Sequence, residues 1–481
     1  MRPNILCVVF DTARADALGP YGAPAGSTPA AAQLADSGSA LPAVYATASW
    51  TLPSHGSMFT GLMPRACRIG ETGVDRSESA ANLRALRDRV LPELLRRSGY
   101  ATGAVSANVW VSEWTGFDTG FDEFVLLDSG RQGRIHSRDL RSRARWAQEA
   151  MRATVDDGAA EAERVLASWI ERRERGRPFF WFVNLVECHS PYLPPRPYND
   201  LGPIGRLRAG IEAQRHLILD AIWRACVGEF DVPAGALGRM RHLYRRSIRY
   251  MDDWLARVLE RLDSRGILED TAVILTSDHG ENFGEGGLLA HAFSLDNRLI
   301  RVPLIAAGPG TDALPQGVTS LGELPALIAR IAGLPDHPWR REDVGPPGVA
   351  LAQLNPPSAR DHPKVEWVRA EWNLDEAGVA RLTTPFACAT DGRLKVIRRE
   401  GRDEVLDLDR DPLEVAPTPV DGLADGSRTA DQVTRLRAAL DHPAARRAVD
   451  APEPAREEGP VARSAQETEE IEERMRLLGY M

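Results

Sequence analysis

Apolar runs of strand length recur along the first ~340 residues, separated by stretches in which apolar residues return every three or four positions. The runs are "NILCVVF" (4–10), "ATGAVSA" (101–107), "FFWFVNLV" (179–186), "TAVILTS" (271–277) and "VPLIAAG" (302–308). Helical spacing covers 82–98, 140–174 and 238–266, the last stopped by Gly266. Strands alternating with amphipathic helices predict an α/β fold, a largely parallel central sheet flanked by helices. A Pro/Gly-rich break at 334–350 marks a boundary. Beyond it, 364–372, 386–399 and 403–412 read as short antiparallel strands of a small α+β subdomain. From about 421 the chain turns Ala-, Asp- and Arg-rich and then charged, the pattern of a partly mobile linker ending in a short helix. The expected divisions are 1–345, 346–420 and 421–481.

Length and charge narrow the function classes. The 481 residues suffice for one large domain with an appendage, and a formal charge of −9 supplies no dominant basic face for nucleic acid. The early run "ILCVVF" ends at Asp11, too short for a signal-peptide core or a membrane span, so a cytoplasmic protein without a membrane span is expected. Five scattered cysteines with no CxxC pair read as reduced, buried thiols. Nothing in the sequence sets an oligomeric state.

The candidate chemistry sits where strands end, the place where open parallel sheets bind ligands. Asp11 follows the first strand, "ECHSPY" (187–192) the third, and "SDHGEN" (277–282) the fourth. Carboxylate oxygens and histidine nitrogens converging there suit a divalent cation. Taken singly each has a plain structural reading: Asp11 as a helix cap, His189 as a loop residue, and Thr51 in "WTLPSHG" as the N-cap of a helix starting near Pro53.

Taken in order, "NILCVVFDTARADALGPYG", "TLPSHGSMFTGL", "ECHSPYLPP", "TSDHGENFGEGGLLAHAFSLDNRLIRVPLI" and the C-terminal "DGRLKVIR…DEVLDLDRDPLE" resemble the sulfatase family of the alkaline phosphatase superfamily. The resemblance implies one divalent metal ion held by Asp11, Asp278, His279 and Thr51, with Thr51 at the nucleophile position. It implies that His189 approaches the leaving group and that His291 contacts the bound anion. In those roles a protonated His189 would donate to the departing alkoxide, and neutral His291 or His55 would donate an N–H to a non-bridging oxygen. The implied substrate is a small-molecule anionic ester.

The departures from the family pattern bear on the reaction. Thr51 stands where the arylsulfatases mature a Cys or Ser to formylglycine, and His55 stands where they carry arginine. Their Gly-Lys-Trp-His segment falls near 106–109, where Asn108 alone can contact an anion strongly. A threonine ester must be cleaved by a second in-line attack, the route of the phosphoryl-transfer members. Leu185, four positions before His189, replaces the aspartate that two-metal members use, which favours one ion. A nitrogen ligand with few carboxylates favours Mn²⁺ or Zn²⁺ over Ca²⁺ or Mg²⁺.

The resulting expectation is a metal-dependent hydrolase or transferase for phosphate, phosphonate or sulfate esters, phospho-ester chemistry favoured. Two alternatives stand beside it: a catalytically weak or inactive binding relative, and a true sulfatase with an unmodified nucleophile. Trp110, Trp114 and Phe117 are candidates to stack on a substrate ring or to pack locally. The Arg-rich stretch 134–146 reads as a solvated helix face.

Overall fold

The computed structural model describes residues 2–71, 76–127, 140–229, 231–291, 293–312, 314–356, 358–420 and 428–445. Seven strands form the central sheet: β1 (Asn4–Phe10), β2 (Gly38–Ala40), β3 (Ala101–Ser106), β4 (Glu123–Leu126), β5 (Phe179–Leu185), β6 (Thr271–Thr276) and β7 (Leu304–Ala307). Their order is β2-β7-β6-β1-β5-β3-β4. The five strands from β6 to β4 run parallel, while β7 is antiparallel to both of its neighbours. The central strand β1 shows why the runs are apolar throughout. Leu6, Val8 and Phe10 enter one core and Ile5, Cys7 and Val9 the other, because successive side chains point to opposite faces and both faces are covered.

One topological fact positions the site. The strands β6, β1 and β5 are consecutive in the sheet and parallel, so their carboxyl ends lie side by side. With strands spaced about 4.8 Å apart, the residues following them meet although they lie up to ~270 positions apart in sequence. Helix α1 (Thr51–Thr60) points its first turn into that junction. On the opposite face, helices α2 (Ala159–Arg172) and α3 (Ala234–Ser264) bury Leu166, Trp169, Trp254 and Leu255 against the sheet.

Several expected elements differ in extent. The helical stretch 82–98 divides into Arg76–Ala85 and Leu91–Arg97, the second with Pro92 in its first turn. The stretch 140–174 divides into Leu140–Arg152 and α2, because Ala153 (φ 47°) and Gly158 (φ 120°) turn the chain between them. The run 302–308 is cut at Pro303: Arg301–Val302 pairs in a separate small sheet and only Leu304–Ala307 joins the central one.

The stretch 364–372 is not a strand but a helix, Pro363–Glu371. The His362 side chain accepts from Lys364 N at 3.2 Å, Pro363 occupies the first turn, and Val365 and Val368 are buried three positions apart. Val365 and Trp367 alternate as in a strand and the segment is short and β-branched- and Trp-rich, which is why pattern alone misassigned it.

The C-terminal antiparallel sheet runs in chain order through β8 (Ala350–Leu354), β9 (Phe386–Thr390), β10 (Leu394–Arg399), β11 (Arg402–Asp407) and β12 (Thr418–Pro419). Helix α4 (Arg428–Leu440), within the stretch expected as linker, buries Val433, Leu436 and Leu440 against Leu394, Val396 and Val405 of this sheet. The expected terminal helix lies outside the described residues. Among the described residues no helix is long and apolar enough to cross a membrane.

Candidate active site

Thr51 is the first helical residue of α1, 2% exposed, and it is not the cap. Trp50 holds the cap position with extended backbone and no side-chain capping bond, so the Thr51 hydroxyl is released from that duty. Its Oγ1 lies 3.2 Å from His279 Nε2 and accepts from Asn108 Nδ2 at 3.4 Å. Three bonds hold the hydroxyl's surroundings in place. Ser54 Oγ donates to the Asp278 carbonyl at 2.7 Å, tying the first turn of α1 to the loop after β6. Thr12, in the left-handed region (φ 65°), donates its amide to Asp278 Oδ1 at 3.2 Å. Tyr244 of α3 donates to the Thr12 carbonyl at 2.8 Å, bracing that turn.

The ligand-type atoms of Asp11, Asp278 and His279 lie within 4.8 Å of one another, all fully buried. Asp11 Oδ1 and Asp278 Oδ2 make no hydrogen bond among the described residues, although His55 Nδ1 comes within 3.4 Å of the latter. Asp11 Oδ2 accepts from Asn108 Nδ2 at 2.7 Å and from Asn184 Nδ2 at 3.4 Å. His279 Nδ1 faces the Gly280 carbonyl at 3.0 Å, so that nitrogen carries the proton and Nε2 presents a lone pair. Two buried carboxylate oxygens without hydrogen bonds and one imidazole lone pair, converging from two loops, suit a divalent cation.

The electrostatics agree. Burial and the neighbouring Asp278 push the Asp11 carboxyl above its ordinary range. Burial also opposes ionisation of Asp278, but the histidines at 279 and 55 and the Thr12 amide outweigh it and hold that carboxyl low. Burial pushes His279 down. Two carboxylates crowded in one buried pocket are costly to ionise together, a cost that a bound cation would relieve.

The other expected residues fall in two groups. His189 and His291 lie beside the cluster, with ring centroids 4.8 Å apart, and the His291 ring is 4.5 Å from that of His279. His189 Nδ1 donates to the Ser190 carbonyl at 3.0 Å, which leaves Nε2 for other contacts. His55 stands behind the cluster, fully buried, with Nδ1 3.0 Å from the Thr51 carbonyl and 3.4 Å from Asp278 Oδ2. Its ring meets Phe117 and Phe182 edge-on at 6.1 Å each. Phe117 is thus core, whereas Trp110 is partly exposed and meets Trp50 edge-on at 5.9 Å. Trp114 sits partly exposed in a short 3₁₀ turn.

Two carboxylates near the candidate residues take roles the sequence did not assign. Glu187, in the "ECHSPY" segment, accepts from the backbone amides of Asp157 (3.0 Å) and Ala159 (2.9 Å) at the start of α2. It is a helix-end anchor. Glu187→Ala is expected to destabilise the protein by about 1–2 kcal/mol while leaving metal affinity unchanged, read by denaturant unfolding and metal titration.

Glu281 was missed. It is fully buried and its Oε1 lies 3.0 Å from His291 Nδ1. Burial pushes its carboxyl up to about 7, while burial and the nearby His189 push His291 down to about 3. The available signal was a carboxylate in the same glycine-rich loop as the candidate histidine, ten positions before it.

The fold is a largely parallel α/β sheet whose strand ends carry a buried carboxylate–histidine cluster able to hold a metal ion. The sulfatase family model matches residues 3–327, and the chain belongs to the sulfatase family. Among its relatives, choline-sulfatase of Rhizobium meliloti (strain 1021) is 28% identical over 258 residues, covering 50% of this chain and 46% of that protein. The multifunctional alkaline phosphatase superfamily protein PehA of Trinickia caryophylli is 28% identical over 202 residues, 37% of this chain and 38% of its own. The chain thus spans less than half the length of these two relatives in the matched regions. The phosphonate monoester hydrolase of Agrobacterium radiobacter has the same fold, with a TM-score of 0.60 at 20% identity, covering 91% of this chain and 96% of that one.

Proposed function

We propose that this sulfatase-family hydrolase cleaves phosphate or phosphonate esters through Thr51, with one Mn²⁺ or Zn²⁺ ion at Asp11, Asp278 and His279. The observation carrying this reading is the Thr51 hydroxyl, freed from capping, 3.2 Å from the His279 nitrogen of the carboxylate–histidine cluster. A cation bound there supplies charge that favours the Thr51 alkoxide and shields the approaching anion.

The rest is done by the chain. Asn108 orients the Thr51 oxygen and Asp11 at once. The start of α1 favours an anion at Thr51 through its aligned peptide dipoles. His55 steadies Asp278 from behind. His189 and His291 flank the site where a substrate oxygen would leave or be held. Glu281 fixes the His291 ring through Nδ1. In-line displacement at phosphorus needs positioning and charge stabilisation, which this set supplies. Thr51 offers no aldehyde hydrate to expel sulfate by hemiacetal breakdown, so phospho-esters are favoured over sulfates.

Chelated protein is to be assayed with aryl phosphate mono- and diesters, aryl phosphonate monoesters and aryl sulfates, with Mn²⁺, Zn²⁺ or Ca²⁺ added back. Turnover of phosphorus esters restored by Mn²⁺ or Zn²⁺ is expected. Turnover of sulfates alone would refute the phospho-ester reading, and turnover of none would leave a binding protein.

A further inference from the structure

The loop bearing His291 does not hold its own shape. Ala290 (φ 59°) and Phe293 (φ 60°), on either side of it, both occupy the left-handed region without being glycine. Each such residue costs on the order of 1–2 kcal/mol, so the conformation persists only where other contacts impose it. Phe293 is wedged edge-on against Trp223 at 5.7 Å. Ala290 pairs with Asn282 in a short antiparallel ladder, and further restraints come from the C-terminal sheet.

Lys395 of β10 is fully buried, and its Nζ donates to the Leu295 carbonyl at 2.9 Å and to Glu414 Oε2 at 2.6 Å. The second Glu414 oxygen accepts the amide of Asn297 at 2.5 Å. Arg298 Nη1 donates to the Leu413 carbonyl at 2.7 Å. Residues 295, 297 and 298, just downstream of His291, are therefore each bonded to β10 or to the turn that follows β11. At the other end of the loop, Asn282, the neighbour of Glu281, donates to Asp296 Oδ2 at 3.1 Å.

Burying a lysine and a glutamate together is costly, and an apolar pair of similar volume would serve cohesion as well. What the ion pair adds is direction: each partner uses its remaining hydrogen-bonding capacity on a backbone atom of this loop. We propose that the Lys395–Glu414 pair is a positioning clasp that sets His291 in the active site, which makes the C-terminal sheet part of the catalytic apparatus. The inference rests on His291 being the anion-contacting residue of the proposed function.

The test is a double-mutant cycle. Lys395→Met/Glu414→Leu removes the pair without stranding a charge, and it is combined with His291→Ala in metal-loaded full-length protein. The readouts are kcat and KM for an aryl phosphonate monoester and the affinity for inorganic phosphate by calorimetry. Loss of about 100-fold in kcat/KM with weakened phosphate binding is expected from the pair variant alone, and no further loss when His291 is already alanine. Equal losses in both backgrounds, or a folded pair variant with full activity and phosphate affinity, would overturn the clasp.

Should the pair variant not fold, Arg298→Met, which leaves the buried ions paired, takes its place. It is expected to lose several-fold in kcat/KM only while His291 is present, and no loss counts against the clasp. If His291→Ala itself keeps full turnover and phosphate affinity, the role of His291 fails, separately from the clasp.

Discussion

Thr51→Ala is expected to abolish turnover, by about 10⁴-fold or more in kcat, while the protein still folds and binds its cation. The hydroxyl makes no capping bond, and Asp11, Asp278 and His279 remain to hold the metal, so neither helix α1 nor the cluster depends on it. Thr51→Ser keeps the oxygen and is expected to retain activity. Steady-state kinetics with metal titration of both variants decides the matter. An active alanine variant would return Thr51 to a structural role and remove the nucleophile from the mechanism.

The second large effect concerns the cation. Asp11 and Asp278 repel each other in a dry pocket, so stripping the metal is expected to lower stability. At a free-metal concentration of 100 times Kd the difference is about 2.7 kcal/mol, read as a drop in unfolding temperature on chelation. Asp11→Asn removes one of the two charges. It is expected to abolish the metal-dependent rise while making the metal-free protein more stable than metal-free wild type.

The pH dependence follows from the raised Asp11 carboxyl. Its folded-state value lies above its unfolded one, so in metal-free protein the protonated form is favoured by folding. The stability this gives is full below the ordinary carboxylate range near 4 and is lost as pH rises through the raised value. Metal binding must expel that proton. Apparent affinity is therefore expected to climb up to about tenfold per pH unit through that window, and Asp11→Asn to lose the climb. Calorimetric titration across pH, with proton release measured, checks it.

How far the site was legible differs residue by residue. That Asp11, Asp278 and His279 come together was legible because they stand in the segments just after two apolar strands, and strand ends in parallel sheets gather. Glu187 also stands near a strand end, yet its side chain turns toward the amides of Asp157 and Ala159, a choice set by where α2 begins. His55 occupied a motif position that suggested contact with the anion. Packing against Phe117 and Phe182 puts it behind Asp278 instead. The helix at 363–371 shows the same limit at the level of fold, since a short amphipathic segment fits two periods and its environment chooses between them.

By itself, then, the sequence determined the layered α/β architecture, the strand ends that carry chemistry, and a threonine where the family matures a cysteine or serine. These depend on local periodicity and on residue identity. Tertiary structure alone decided that Thr51 is spared from capping, that Glu281 holds His291, and that Lys395 and Glu414 reach from the C-terminal sheet to the loop that carries it. The physical reason is range. A hydrogen bond forms only where two atoms come within about 3 Å, and whether the chain brings them there, across ten residues for Glu281 and His291 or a hundred for Lys395 and Leu295, is set by packing.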